Sequence, residues 1–383
     1  MSTIQQLPMI DIDSHFTEPA DLWTSRAPAA LRDVAPRVVR KPDGSDAWVV
    51  GRDFELSGPG FCVIRPDGSK AMAMYTLPRL EDMTPAASEP HARVRALDEQ
   101  GIARQILYPN VLGFAGGSMM KIEDSKLRNF CVQAYNDAAA ELQQVSGGRL
   151  LPQAMLPFWE PREAARELER CHDKLGLTGF TMTDSPETWG LPSLVNPVWD
   201  ALLSTAQERR LPVNFHIGSG NPANAVWPGV VAPQAIGAVS TILFIANARC
   251  IVNLIFSGLL DRYPTLNFVS VESGLGWLPF ILESAEYQVA ENGIKLALRP
   301  TEYFQRQIYA SFWFESKYVA ESITRLGAGN VMVETDFPHP TCLYPDARKQ
   351  IETLLAPLPE ADQRKVLYGN AARIYNLDVG SLM

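Results

Sequence analysis

Short apolar runs rich in β-branched and aromatic residues recur along the chain, and the segments between them repeat their apolar residues at helical spacing. The runs fall at residues 9–13, 104–109, 150–156, 179–183, 212–216, 266–272, 307–312 and 331–336. Amphipathic helices are predicted over 127–145, 161–175, 197–210, 318–326 and 360–374. Eight strands alternating with helices predict an α/β fold of parallel β/α units, and eight is the number that closes a (β/α)8 TIM barrel. Residues 1–383 are read as one barrel domain.

Residues 24–89 break the alternation. They are rich in Pro, Gly and charge, with Pro-Asp-Gly turns at 42–44 and 66–68 beside alternating runs at 47–54 and 61–64. A small β-hairpin insertion after strand 1 is predicted there, capping one end of the barrel. Its few bulky apolar side chains make independent folding marginal. A second irregular stretch, 235–260, is apolar enough to suggest a membrane span, but Asn247, Arg249 and Asn253 interrupt it. A helix buried in a soluble protein is expected instead.

Composition narrows the function. Hydrophobic residues make up 46% and charged residues 20%, the balance of a soluble enzyme, and the net charge of −9 gives no footprint for nucleic acid or an anionic membrane. The five cysteines are scattered, without a C-x-x-C pair, which argues against disulfides and zinc knuckles. No basic region followed by an apolar one opens the chain, so a cytoplasmic location is expected. The partners expected are a small hydrophobic substrate and a second copy of the chain in a homodimer.

A TIM barrel brings the carboxyl ends of its strands to one face, where active sites form. Strand one ends in Asp13-Ser14-His15, with Glu18 three residues on; the fifth ends in His216, the sixth in Glu272, and the eighth in Asp336, with His339 three residues on. Three of the five histidines thus meet four carboxylates at one barrel mouth. A packed core does not account for such a set, because clustered buried carboxylates must bind protons or cations. Asp13, His15, Glu18, His216, Glu272, Asp336 and His339 are the candidate metal ligands, with Glu272, Asp336 and His339 as candidate catalytic groups. Asp11 and Glu334, one layer deeper, are candidates for supporting roles; His91 is placed near the rim and His172 on a solvated helix face. Phe16, Trp23, Trp227, Trp277 and Phe337 suggest an apolar substrate pocket.

The chain resembles the amidohydrolase-related superfamily, the branch holding the carboxymuconate-semialdehyde and hydroxybenzoate decarboxylases. The matching motifs are Ile10–His15, Asn214-Phe215-His216, Phe256–Pro264, Glu272–Pro279, Thr335–Pro340 and Gly369–Arg373, spread over residues 9 to 377. The resemblance implies that position 13, His15, His216 and Asp336 are the primary metal ligands. Two departures stand out: Asp13-x-His15 replaces the frequent His-x-His, and Glu272 stands where hydrolytic and decarboxylating members usually place a catalytic His. No Lys ends strand four (Thr181-Met-Thr-Asp-Ser185), so the carbamylated-lysine bridge of binuclear hydrolases is not expected.

Carboxylates in place of imidazoles harden the ligand set toward iron or manganese. Seven candidate ligands exceed the need of one ion and suit two. The pattern resembles the TIM-barrel non-haem diiron monooxygenases of the same superfamily, which implies two Fe ions and hydroxylation of a hydrophobic acid or its coenzyme-A thioester. The alternative is a mononuclear Zn- or Mn-dependent hydrolase or decarboxylase of a small or aromatic carboxylic acid. A metal-binding barrel without catalysis is a third class.

Overall fold

Each of the eight predicted runs forms a strand in the computed structural model, which describes residues 3–71, 76–219, 229–231, 234–378 and 380. In chain order the strands are β1 (Ile10–His15), β2 (Arg37–Arg40), β3 (Asp46–Val50), β4 (Phe54–Ser57), β5 (Arg104–Tyr108), β6 (Leu150–Pro152), β7 (Phe180–Thr181), β8 (Val213–His216), β9 (Phe268–Val271), β10 (Ile308–Phe312) and β11 (Val331–Val333). Leaving out β2–β4, they form one eight-stranded sheet in the order β6-β5-β1-β11-β10-β9-β8-β7, with every pair parallel. A parallel bridge between Ala154 and Phe180 joins the two ends and closes the barrel. Strand neighbours in space are therefore neighbours in sequence all the way round, as right-handed β/α winding requires.

The strands are buried on both faces, so they read as continuous apolar runs. Inside the barrel Ile10, Ile12, Ile106, Val269, Val271 and Met332 pack together, and Tyr375 plugs the amino-terminal end, its hydroxyl donating to Asn214 Oδ1 at 2.7 Å. Outside, the larger core lies between the strands and the helices, with Leu168, Leu202, Ile323 and Ile351 among its members. The predicted 360–374 helix is interrupted by a π turn at Lys365–Gly369, after which Asn370 donates to the carbonyls of Ala328 and Val331 at 2.7 and 2.8 Å.

Both Pro-Asp-Gly turns form, with φ of +84° at Gly44 and +80° at Gly68. The first joins β2 to β3 in an antiparallel sheet completed by β4; the second sets an isolated bridge between Ile64 and Lys70. The 47–54 run thus splits at the turn between β3 and β4, and 61–64 makes a single bridge in place of a strand. Cys62, Val63 and Ile64 pack with Phe337 and Cys342, which seats this segment over the loop that follows β11. Val63 donates its N–H to the Pro338 carbonyl at 3.0 Å.

The apolar 235–260 stretch departs from expectation. It forms helices Gln234–Leu243 and Asn247–Phe256, and only Cys250, Ile251, Leu254, Ile255 and Asn247 of the second face the core. None of the residues of Gln234–Leu243 is buried. Apolar composition predicts burial, but this helix is exposed or half-buried throughout, with Val239 and Ile242 exposed.

Trp23 is central to the seating of the small sheet. Its ring is fully buried edge-on against Trp48 of β3, with centroids 5.1 Å apart, and its Nε1–H donates to the Cys131 carbonyl at 3.0 Å. It is a core residue, not the substrate-pocket aromatic expected from sequence. Trp23→Ala should cost about 3–5 kcal/mol of stability, read as a lowered denaturation midpoint with an unchanged slope; a loss below about 1 kcal/mol would show that the contact is dispensable.

Candidate metal centre

Asp13 and His15, two apart on β1, both reach the space inside the carboxyl end of the barrel and are fully buried. His15 Nε2 lies 3.6 Å from Asp13 Oδ1 and 3.7 Å from Asp336 Oδ1, and 3.3 Å from His216 Nε2. His216 ends β8; its Nε2 lies 3.4 Å from Asp13 Oδ1 and 3.6 Å from Glu272 Oε2. Its Nδ1–H donates to the Ile217 carbonyl at 2.8 Å, which leaves the Nε2 lone pair facing the carboxylates. Asp13–His15–His216, His15–Asp336–His339 and Asp13–Glu272–Asp336 each offer ligand atoms within 4.8 Å of one another.

Glu272 and Asp336 lie just beyond β9 and β11, and both have left-handed backbones, with φ of +54° and +55°. Non-glycine residues rarely adopt this conformation, and it turns the chain out of the ladder so that each carboxyl enters the mouth. Acids hold these turns by accepting backbone hydrogen bonds, Asp11 and Glu334 fully buried and Glu315 half-buried. Asp11 accepts the N–H groups of Asp13 and Thr335 at 3.2 and 2.9 Å, the Thr335 hydroxyl at 2.5 Å and the Gln105 amide at 2.8 Å. Glu334 accepts the Glu272 N–H at 3.1 Å and the Ser311 hydroxyl at 2.5 Å, while Glu315 accepts the N–H groups of Leu275 and Gly276, both at 2.8 Å. Asp11 and Glu334 thus act on the backbone and on neighbouring side chains.

Burial dominates the electrostatics. It raises the Asp11 carboxyl to about 7, and it raises Asp13, Glu272 and Glu334 well above the carboxylate range, with repulsion from neighbouring acids adding to the effect. The same burial lowers His15 and His339 and brings His216 down to about 4. Both Asp13 oxygens and Asp336 Oδ1 are buried without a hydrogen-bond partner. Orphaned acceptors facing neutral imidazole nitrogens have the donor chemistry of a divalent cation site, with oxygen and nitrogen ligands and no sulfur.

His339 stacks on His15 with ring centroids 3.5 Å apart; its Nδ1 lies 3.3 Å from Asp336 Oδ1 and its Nε2 2.8 Å from Asn110 Oδ1. Glu18 is not gathered with the other six. It is buried, but its Oε1 accepts the N–H groups of Asn110 and Val111 at 2.9 and 3.2 Å. Three residues past a strand end, strand alternation no longer fixes where a side chain points. His91 is exposed, and His172 meets Asp173 on the outer surface.

Two aromatic residues that the sequence reading missed cover the histidines. Phe114 lies 5.0, 4.4 and 5.7 Å from the rings of His15, His216 and His339, and Phe61, from the capping segment, lies 5.5 Å from His339 and is 40% exposed. A lone aromatic in the glycine-rich loop after strand two, Gly113-Phe114-Ala115-Gly116, was the available signal. Phe337 is instead buried under Arg93, 4.5 Å from its guanidinium, and Trp277 donates to the Ser273 carbonyl. Phe16 is buried, and Trp227 lies outside the described residues. Arg93 is a third omission: fully buried, it donates to the carbonyls of Ala86 and His15 at 2.5 and 2.6 Å and to Gln105 at 3.0 Å, fixing the end of β1.

An amidohydrolase family model matches residues 10–377. The chain belongs to the amidohydrolase family. A gamma-resorcylate decarboxylase from Polaromonas sp. strain JS666 is 27% identical over 312 residues, covering 75% of this chain and 87% of that one. An amidohydrolase structure from Mycobacterium avium subsp. paratuberculosis K-10 superposes with a TM-score of 0.76 at 19% identity, covering 97% of this chain and 99% of its own. A dihydroxybenzoic acid decarboxylase structure from Polaromonas sp. JS666, with bound manganese and the inhibitor 2-nitroresorcinol, has a TM-score of 0.62 at 20% identity over 98% of this chain and 99% of its own.

These relatives overturn the diiron monooxygenase expectation. The curated relatives are decarboxylases, not oxidoreductases, and the coenzyme-A thioester and the pair of irons belonged to the oxygenase reading. The error has a physical source: a hard oxygen-rich ligand set suits manganese as well as iron and does not imply oxygen chemistry. The ligand count that suggested two ions also included Glu18, which points elsewhere.

Burial raises the Glu18 carboxyl from 4.5 to about 7 in the folded chain. An acid so shifted stabilises the fold fully below its unfolded value, and the contribution disappears as pH rises through the folded value. Relative to Glu18→Gln, the wild type should therefore lose on the order of 3 kcal/mol of stability between pH 4.5 and pH 8. Urea titrations of both proteins across that range measure it; parallel pH profiles would refute the assignment.

Proposed function

We propose that this protein is a metal-dependent decarboxylase of a small aromatic carboxylic acid, with one divalent ion, manganese or zinc, held by Asp13, His15, His216 and Asp336. The observation that carries the reading is the set of buried, partnerless oxygens on Asp13 and Asp336 facing two imidazoles. The kinship to gamma-resorcylate decarboxylases supplies the reaction class. When bound, the ion supplies a Lewis acid that polarises the substrate's oxygen atoms.

The remaining roles belong to the chain itself. Phe114 and Phe61 offer flat apolar faces beside the histidines, suited to an aromatic ring and to the exclusion of water. Decarboxylation replaces a carbon–carboxylate bond with a carbon–hydrogen bond, so a proton must reach the ring carbon. His339 and Glu272 lie beside the four-residue set, 3.3 Å from Asp336 and 3.6 Å from His216, and are assigned to hold and deliver it.

Manganese-loaded protein should release carbon dioxide from hydroxybenzoates such as 2,6-dihydroxybenzoate and lose that activity on chelation. His339→Asn and Glu272→Gln should keep one ion per chain while lowering kcat at least 100-fold; His216→Ala should lose the ion. Hydrolysis of the matching esters without carbon dioxide release, or full activity after metal removal, would overturn the reading.

A further inference from the structure

The helix Leu278–Glu291, which follows β9, turns Leu278, Leu282 and Ala285 to the core and leaves Phe280 and Tyr287, seven residues apart on its outer face, exposed. The apolar face continues across the neighbouring elements. This helix packs beside Val319–Leu326, and just before that second helix Phe314 and Tyr318 are exposed. Phe314 in turn stacks on Phe244, with ring centroids 4.9 Å apart, at the end of Gln234–Leu243, where Ile242 and Ile245 are exposed as well. Phe280, Tyr287, Phe314 and Tyr318 are 70%, 60%, 47% and 69% exposed, so their rings leave on the order of 500 Å2 of aromatic surface in water. That already matches the largest apolar patch usual on a monomer, about 300–600 Å2. Ile242 and Ile245 extend it toward the roughly 800 Å2 that each partner buries in a stable complex.

We propose that a second copy of this chain docks on this face, forming a two-fold homodimer. Charge decides between a second copy and a membrane surface. Gln234–Leu243 has no charged residue, and Leu278–Glu291 carries Glu283, Glu286 and Glu291 without a base. Helices that lie on anionic membranes have the opposite pattern, with Lys and Arg along their polar face. A membrane span does not fit either, because Asn247–Phe256 packs Cys250, Ile251, Leu254 and Ile255 into the core. Lys295 and Lys317 flank the acids, and among the described residues Glu283, Glu291, Lys295 and Lys317 have no ion-pair partner within the chain. A face that carries both signs unpaired can complement itself across a two-fold axis. The face includes segments that follow β8 and β10, so the second copy borders the barrel mouth. This inference does not depend on the decarboxylase reading, because its test reads mass and hydrogen exchange.

Full-length protein at tens of micromolar should sediment as a species of twice the 42.3 kDa chain mass. The double variant Phe280→Glu, Tyr287→Glu should weaken the dimer by on the order of 100-fold and keep the wild-type far-ultraviolet circular dichroism. Phe54→Glu, at an exposed ring on β4, should leave the dimer intact. In wild type, dilution to monomer should speed hydrogen exchange in residues 234–245, 280–291 and 314–318 and leave 46–57 unchanged. A monomer at tens of micromolar, an undiminished dimer in the double variant, or loss of the dimer in Phe54→Glu would overturn the proposal. So would protection confined to other segments, or flotation of the protein with phosphatidylcholine–phosphatidylserine vesicles.

Discussion

Asp13, Glu272 and Asp336 bring their carboxyl groups together with three imidazoles in a space from which solvent is excluded, and much of the barrel mouth is organised around that concentration of charge. Burial disfavours Asp13 and Glu272 as anions there, and the three imidazoles as cations. Left to themselves, Asp13 and Glu272 would take up protons and the imidazoles would stay neutral. A divalent cation resolves both problems at once, since it compensates several anions and uses the free imidazole lone pairs. The polar residues around the mouth fit that logic: Asp11, Glu334 and Glu315 are anchored to backbone N–H groups, and Arg93 to backbone carbonyls.

That anchoring explains how a precise cluster sits on loops. The strands end early, at Val271 and Val333, and the metal-facing acids follow on turns rather than on the ladder. Loops of this kind keep their geometry only when their backbone groups are tied to rigid parts of the fold. Here the ties join nearby strands: Asp11 of β1 holds Thr335 beyond the adjacent β11, and Glu334 beyond β11 holds Glu272 beyond β9, one strand further round.

Much of this was legible in the residues. The eight strands could be read because parallel strands buried on both sides leave uninterrupted apolar runs, and the mouth cluster because barrel topology gathers strand ends whatever their separation in sequence. The points that could not be read are equally physical. Positive φ at Glu272 turns the chain out of β9, and β11 ends at Val333, three residues short of Asp336, both sooner than the apolar pattern does. Glu18 lies past the reach of strand periodicity, so its carboxyl could be counted as a ligand while it binds the Asn110 backbone. Arg93, a cation on an amphipathic helix, reads as a surface residue although it is wholly enclosed. The exposed Gln234–Leu243 helix reverses the same rule, since composition records polarity and not position. Ligand hardness, finally, does not choose between manganese and iron.

The left-handed backbone at Glu272 has an evolutionary consequence. Histidine is among the few non-glycine residues enriched in that conformation, while β-branched residues are all but barred from it. A lineage can therefore exchange imidazole for carboxylate at this one place without remaking the turn, since Glu315 and Glu334 hold the backbone whichever side chain it carries. New chemistry at the barrel mouth becomes a matter of single substitutions on a preserved scaffold.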